Sequence, residues 1–555
     1  MAVPDAPNVS VDEAAVPGTV RLVDLHHELH GVSERGVIIL VPQPTSDPED
    51  PLNWSPWRKR RAMYLTHLYT FVIAWASAAI YSILVNISQD TGLSVATLNS
   101  GSGTMLLFFG WGALLAQPIA LTFGRRGTSL LSLLFTVAIS AWTAYAPSYA
   151  AWVSTRVLLG LVGSPIEVVP EIIVTDLYFN HERGHHIGIY MLMLTGGNYL
   201  CAVFSGLIND SMDWQWVMYW CAIINAIAFV LFFFGFEETM YYRNTGFEAA
   251  RSDSSTDIGT LAPASTSASV SEKDVGKAPG AAQETVANAR REPVYPKPRS
   301  YWRKLGLFRV IPEKPNQFLA YMYLPLKNFY TYPLVLWASF FHGIAVVCFN
   351  ALNATASVIL SSPPYSFKSS YVGLAYIGPT IGAIVGAVWS GVINDKICLA
   401  LARRNKHGLR EAEHRLYAAV IMCIIPPVGF IVWGVGASQG IHWIGLVFGM
   451  SMLGFALTAG GGLMINYITD CYKELQGSTM SSLNVMRCTM AFGFGYAVTP
   501  WWEATGTQNT FITWSLMSFA LFATFIPMII WGKQLRARST HAYWTEVKSG
   551  LASYH

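Results

Sequence analysis

Charge is scarce in this chain. Only 12% of its 555 residues are Asp, Glu, Lys or Arg, while 52% are hydrophobic. The charged share is about half that of soluble domains, which excludes an ordinary water-soluble fold. Cysteine is also sparse, at seven residues. Five lie inside apolar runs and Cys398 and Cys471 at their ends, a spacing that gives neither a disulfide framework nor a metal-ligand set. No Gly-Lys-Ser/Thr phosphate loop, His-rich metal motif or nucleophile elbow is present. An enzyme, an ATP-driven pump and any cofactor are therefore not expected. The first sixty residues hold no apolar core of signal-peptide type, so the first span itself is expected to direct insertion.

What the chain has instead is apolar runs of bilayer length, about 20 residues each. They are read near 63–86, 101–123, 129–147, 152–175, 187–208 and 215–236, then near 333–360, 371–394, 416–437, 442–469, 478–501 and 510–532. The expected fold is all-α and polytopic, with twelve transmembrane helices in two six-helix halves. The implied organisation is a tail over 1–61, bundles over 62–236 and 333–533, a linker over 237–332 and a tail over 534–555. The middle of the linker is rich in Ser, Thr, Ala and Pro and is expected to be disordered. Tyr301 to Asn328 mixes basic and aromatic residues, as a segment lying along the membrane surface does.

The basic residues fall on one side. Arg58 to Arg61 abut the first span, and Arg125, Arg126, Arg183, Lys396, Arg403, Arg404, Lys406, Arg410, Arg415, Lys473, Lys533, Arg536 and Arg538 follow in alternate loops and the C-terminal tail. The opposite loops hold Lys368 alone. The positive-inside rule then puts both termini and the linker in the cytoplasm of a multi-pass cell-membrane protein. A nucleic-acid reading of the first basic cluster fails, because a span follows it at once.

The fourth span, Trp152 to Asp176, carries Arg156, Glu167 and Glu171. A charge at bilayer depth costs roughly 2.5–3.5 kcal/mol on insertion scales, so it marks a pathway, a proton relay or a buried pair. At about 100° per residue, Glu167 falls about 20° round from Arg156 on a continuous helix, with Glu171 one turn beyond. A carboxylate in low dielectric can take and release a proton. Glu167 is the leading candidate for that group, with Glu171 beside the inner vestibule. Pro165 and Pro170 can kink the helix there. The structural alternative is a buried pair or polar seam. Across the cavity, Arg487 either binds an anionic group, pairs with a Glu during part of the cycle, or snorkels. Asn350, Asn353 and Asn484 are candidate cavity hydrogen-bonders, and His342 reads more simply as a satisfied polar residue.

Val174-Thr-Asp-Leu-Tyr178 at the end of span four is echoed by Ile468-Thr-Asp-Cys-Tyr472 at the end of span ten. Equivalent positions in two halves fit a transporter built from related halves. Asp50-Pro51-Leu52-Asn53-Trp54, Arg156-x-x-x-Gly160-x-x-Gly163, Trp214-Gln215-Trp216 and Gly124-Arg125-Arg126 resemble motifs of the major facilitator superfamily, within it the fungal twelve-span drug:proton antiporter group. The resemblance implies a proton-coupling role for Arg156. It also implies a cytoplasmic gate at Arg125, Arg126, Asp176, Glu182 and Arg183, for which an ordinary solvated turn is the alternative. Gln117 and Leu121 stand where the family has Gly and Asp, and Gly391 to Lys396 carries the complementary half-motif. The latch role is therefore expected to shift toward Asp395. Gly188, Gly197 and Gly206 fit the antiporter motif of span five, whose Gly-Pro pair is here Cys201-Ala202.

The resulting expectation is a monomeric, proton-coupled transporter exporting a small organic molecule such as a drug, toxin or secondary metabolite by alternating access. Its partners are lipid, substrate and protons, with no nucleic acid. Uptake of a cationic metabolite such as a polyamine is the alternative, and a non-transporting nutrient sensor a distant third.

Overall fold

The computed structural model describes residues 17–21, 47, 49–146, 148–241, 304–309, 317–404 and 409–548. The linker middle for which disorder is expected lies outside these residues. Asp50 accepts from the Leu52 amide and Ser55 from the Arg58 amide. Asp50 caps a short 3-10 turn (Pro51–Asn53), and Ser55, with Pro56 in the first turn, starts α1 (Pro56–Ala78). The chain continues through α2 (Leu84–Thr91), α3 (Val95–Phe123) and α4 (Arg125–Thr143). Only Gly124, at φ +114°, separates α3 from α4, a conformation that favours glycine. Then come α5 (Tyr149–Gly163), a 3-10 turn (Ser164–Glu167), α6 (Val169–Leu177), α7 (Asn180–Met212) and α8 (Trp214–Gly235).

The second half opens with α9 (Phe318–Thr331) and α10 (Pro333–Ser361). Next are α11 (Ser369–Ala375) and α12 (Ile377–Val388), which runs through a π turn (Trp389–Ile393) into α13 (Asn394–Arg404). A 3-10 stretch (Ala412–Cys423) leads into α14 (Ile425–Phe430) and a second π turn (Ile431–Val435). The long helices α15 (Trp443–Cys471), α16 (Gln476–Thr505), α17 (Thr507–Phe522) and α18 (Phe525–Lys548) close the chain. The all-helical expectation holds apart from one two-stranded antiparallel ribbon, β1 (Thr19–Arg21) on β2 (Leu409–Glu411).

Every expected span coincides with helical structure. Among the described residues, nine stretches are long and apolar enough to cross a membrane by length and composition. The spans expected at α1, α4 and α16 are not among those nine. Arg58 to Arg61, the Ser and Thr of α4, and the polar start of α16 lower their hydropathy. Exposed apolar side chains run along the outward faces, among them Phe135, Ile227, Ile381, Phe519 and Ile530. Such surface faces lipid rather than water.

Small residues bring the helices together, as is usual in membranes. A Cβ on Gly382 of α12 would overlap the Ser451 carbonyl of α15. The two halves meet along two seams. In one, α3 lies against α16, with Gly103 on Gly495 and Gly110 on Cys488. In the other, α7 meets α11, with Gly206 against the Ser369 carbonyl and Gly373 against that of Ala202.

Candidate functional site

The second seam spreads along its length. At one end Gly206 and Gly373 leave no room for a methyl group, whereas further along the same two spans Gly188 and Gly391 face open space. The narrow end is tied across the halves by polar contacts. Asn209 donates to Ser369 Oγ (3.2 Å), Ser369 to Asn86 Oδ1 (2.7 Å), and the Ser370 amide to Asp210 (2.9 Å). The wide end is the one bearing Arg125, Arg183 and Arg415, the basic end of the bundle. Between them lies a cavity with about 170 Å³ accessible to water, far more than the roughly 10–15 Å³ that one water needs. Tyr81 and Phe349 lie at its narrow end, their rings edge-on at 6.0 Å.

Glu167 sits at the last position of the 3-10 turn that interrupts span four. Pro165 and Pro170 each stand near the start of a short helical segment, where a missing N–H costs least. The break turns Glu167 and Glu171 into the cavity. Arg487, from α16 in the other half, pairs with the Glu167 carboxylate. Its Nε donates to Asn484 Oδ1 (3.0 Å), and Asn484 Nδ2 donates to the Glu167 carbonyl (3.0 Å). These three side chains therefore form one bridge between the halves. A buried pair of this kind is held by mutual neutralisation, and removing one partner leaves a costly charge. Glu171 also lines the cavity but makes no hydrogen bond or ion pair among the described residues.

The structure separates Arg156 from this group, contrary to the shared face expected of a continuous helix. Arg156 is 1% exposed and does not line the cavity. Its guanidinium lies 4.3 Å over the Trp152 ring, a cation–π contact one turn back on α5. Asn350 likewise turns away from the cavity and donates to the Ala491 carbonyl of α16 (3.2 Å).

At the basic end the expected gate residues divide. Arg125 pairs with Asp176 (3.0 Å), which also accepts from Thr239 (2.9 Å). Arg126, fully buried, donates to the carbonyls of Phe233 (2.7 Å), Phe236 (2.9 Å), Gly306 (3.1 Å) and Leu305. It ties Leu305 and Gly306 of the linker to the end of α8. Arg183 donates to the Thr175 and Tyr178 carbonyls at the end of α6, where a cation meets the negative end of the helix dipole. Asp395 pairs with Arg415 (3.0 Å), which also holds Asp470 (2.5 Å).

In the sequence Arg415 reads only as a basic loop residue, yet it is to Asp470 what Arg125 is to Asp176. The repeated Thr-Asp was the available signal: each aspartate needs an arginine at the start of the helix that precedes it by one. Glu238 carried no such signal. It accepts from the Arg125 (3.0 Å) and Arg126 (3.1 Å) amides and caps α4 from a segment read as linker.

Residues 66–496 match the Major Facilitator Superfamily. The chain is 29% identical to an uncharacterised MFS-type transporter of Schizosaccharomyces pombe, over 96% of this chain and 94% of that one. It is 25% identical to the protein HOL1 of Saccharomyces cerevisiae, over 94% of this chain and 95% of that one. It is 24% identical to the MFS antiporter QDR3 of Candida albicans, over 80% and 75% respectively. The split-seam helical architecture and these similarities agree: the chain belongs to the Major Facilitator Superfamily and is a multi-pass membrane transporter, not an enzyme.

Proposed function

We propose that the protein is a proton-coupled secondary transporter that exports a small amphipathic organic molecule. The observation that carries this reading is the bridge from Glu167 on the first half to Arg487 on the second. While the halves are held as in this structure, each charge neutralises the other. When the halves rock and the bridge parts, an isolated carboxylate at bilayer depth is expensive, and a proton removes its charge. Proton uptake is then tied to one orientation of the halves and proton release to the other. Similarity to a Candida albicans antiporter supports an exchange mechanism. The distribution of basic residues supports cytoplasmic termini in the cell membrane, with this cavity open inward. The aromatic end of the cavity suits an apolar moiety, and its carboxylates suit a polar head.

The test is Glu167→Gln in the full-length protein, with a compound chosen from a transport panel in cells lacking the gene. In proteoliposomes the variant is expected to lose flux driven by a pH gradient, while downhill exchange persists. Gradient-driven flux at the unaltered rate would overturn the assignment.

Glu171 favours a second reading. With Glu167 bound to Arg487, Glu171 is left as an unpaired carboxyl on the cavity wall, a group that gains a partner for its charged form when a cation enters, which suits uptake of a cationic metabolite such as a polyamine. Accumulation of labelled substrate, compared between deletion and overexpression cells, separates the two directions: an exporter lowers it and an importer raises it.

A further inference from the structure

Most polar groups on the cavity wall are already engaged. Ser77, Thr195 and Thr458 donate to main-chain carbonyls. Glu167, Asn484 and Arg487 satisfy one another. The unpartnered Nδ1 of His342 is sealed inside the wall, out of reach of a ligand. Two groups toward the narrow end are different. Asn198 of α7 lines the cavity and is half-buried. Ser77 gives its one proton to the Ala74 carbonyl (2.7 Å) and sets its Oγ 3.3 Å from Asn198 Oδ1. A primary amide carries two N–H groups, so at least one is left over whichever way this amide is turned. Tyr81, just beyond α1, also lines the cavity, and its hydroxyl makes no hydrogen bond among the described residues. Neither Asn198 Nδ2 nor the Tyr81 hydroxyl belongs with the buried atoms that lack a partner. Both open onto the cavity.

Aromatic rings frame the pair. Phe349 of α10, in the other half, stands edge-on to Tyr81 (6.0 Å) and to Tyr199 (5.6 Å), the residue next to Asn198. Both unpaired groups are donors, and a donor in an aromatic pocket gains most from an acceptor that the protein itself does not supply. An oxygen carried on a flat apolar body is such an acceptor. We infer that Asn198 and Tyr81 form a carbonyl-binding subsite: the Asn198 amide and the Tyr81 hydroxyl donate to a carbonyl oxygen of the transported molecule, whose flat flank lies against Phe349. The ligand class is an organic carbonyl compound, a ketone, ester, lactone or amide with an aromatic or other flat apolar group beside the carbonyl. The first half holds its oxygen and the second half its flank. Its binding free energy consequently depends on how the halves are set, which is what a transported ligand requires.

The inference rests on the reading of this cavity as the transport site, but not on proton coupling. Its experiment is accordingly run without a gradient. Purified full-length protein in lipid nanodiscs is titrated with aryl ketones of graded acyl-chain length and with the matching gem-difluoro compounds, in which CF2 replaces the carbonyl and accepts hydrogen bonds poorly. Binding is followed by thermal shift. The wild type is expected to bind the best ketone at least about fivefold more tightly than its difluoro partner, the range of one hydrogen bond out of water. Asn198→Leu, which keeps the bulk and removes the N–H, is expected to erase most of that preference. Tyr81→Phe, which keeps the ring against Phe349 and so its packing, is expected to reduce it while leaving difluoro binding unchanged. An undiminished preference in either variant overturns the inference, as does failure of every ketone to bind the wild type. Failure of Glu167→Gln to affect gradient-driven flux would leave this result standing, so the two readings fail separately.

Discussion

Arg125 and Arg126 are adjacent, equally buried and equally charged, yet they serve different ends. Arg125 reaches along the first half to Asp176, whereas Arg126 turns to four main-chain carbonyls, two at the end of α8 and two in the linker. Replacing Arg126 by Ala leaves those carbonyls without their donor in a fully buried site. The expected loss is roughly 3 kcal/mol, in the range for a charged group with several hydrogen bonds. Thermal unfolding of the detergent-solubilised variant would show it as a lowered midpoint. Arg126→Lys is expected to recover little, because an ammonium lacks the planar fork that reaches several acceptors together. The sequence marks both arginines as positioned but cannot divide their roles. Their partners are a carboxylate about fifty residues on and main-chain oxygens, and backbone carbonyls have no signature in side-chain identity. The Arg487 bridge to Glu167 is open in the sequence for a different reason: both charges are legible at depth, but anion binding, pairing with a Glu and snorkelling all fit the position of Arg487.

At the scale of the element, span four decides the site. A continuous helix puts Arg156 and Glu167 on one stripe, and that arithmetic fails because the helix is not continuous. After Gly163 four residues wind as a 3-10 turn, and Val168 then sits at φ −133°, ψ −45° before α6 resumes. The tighter turn advances each residue by about 120° instead of 100°, so the stripe is lost across it. Pro165 and Pro170 announced a kink but not its sense. A Pro165→Ala, Pro170→Ala double variant restores the N–H groups that an uninterrupted α-helix needs. It is expected to carry Glu167 away from Arg487 and to reduce pH-gradient-driven flux about as far as Glu167→Gln does, with the protein still folded and inserted. Flux in proteoliposomes, normalised to reconstituted protein, measures it. Wild-type flux in the double variant would mean that the prolines follow the break without causing it. Among the described helices, hydropathy passes over α1, α4 and α16, and α16 is the one that carries Arg487 into the cavity.

For the whole molecule, the two-half plan was legible from alternating basic loops and from the echo of Asp176 in Asp470. How the halves lean was not. The lean is written in glycines whose neighbours come from the other half: Gly206 and Gly373 in contact, Gly188 and Gly391 apart. The arrangement can serve transport only if the closed end opens in another state. Asn209 and Ser369 lie on opposite sides of that end, with Nδ2 3.2 Å from Oγ. Cysteines at both positions are close enough to be tested as a disulfide, whose Cβ atoms lie about 3.5–4.5 Å apart. The seven native cysteines are buried or half-buried, so a mild oxidant reaches the introduced pair first. Oxidation of Asn209→Cys, Ser369→Cys is expected to stop transport, reductant to restore it, and neither single variant to respond. A Cβ at Gly206 works in the opposite direction. Gly206→Ala places a methyl group on the Ser369 carbonyl, pushes the closed end apart, and is expected to lower the yield of cross-link when combined with the cysteine pair. Continued transport by the fully cross-linked protein would mean that substrate passes without separation at this end, and the rocking of the halves would then have to be abandoned as the mechanism.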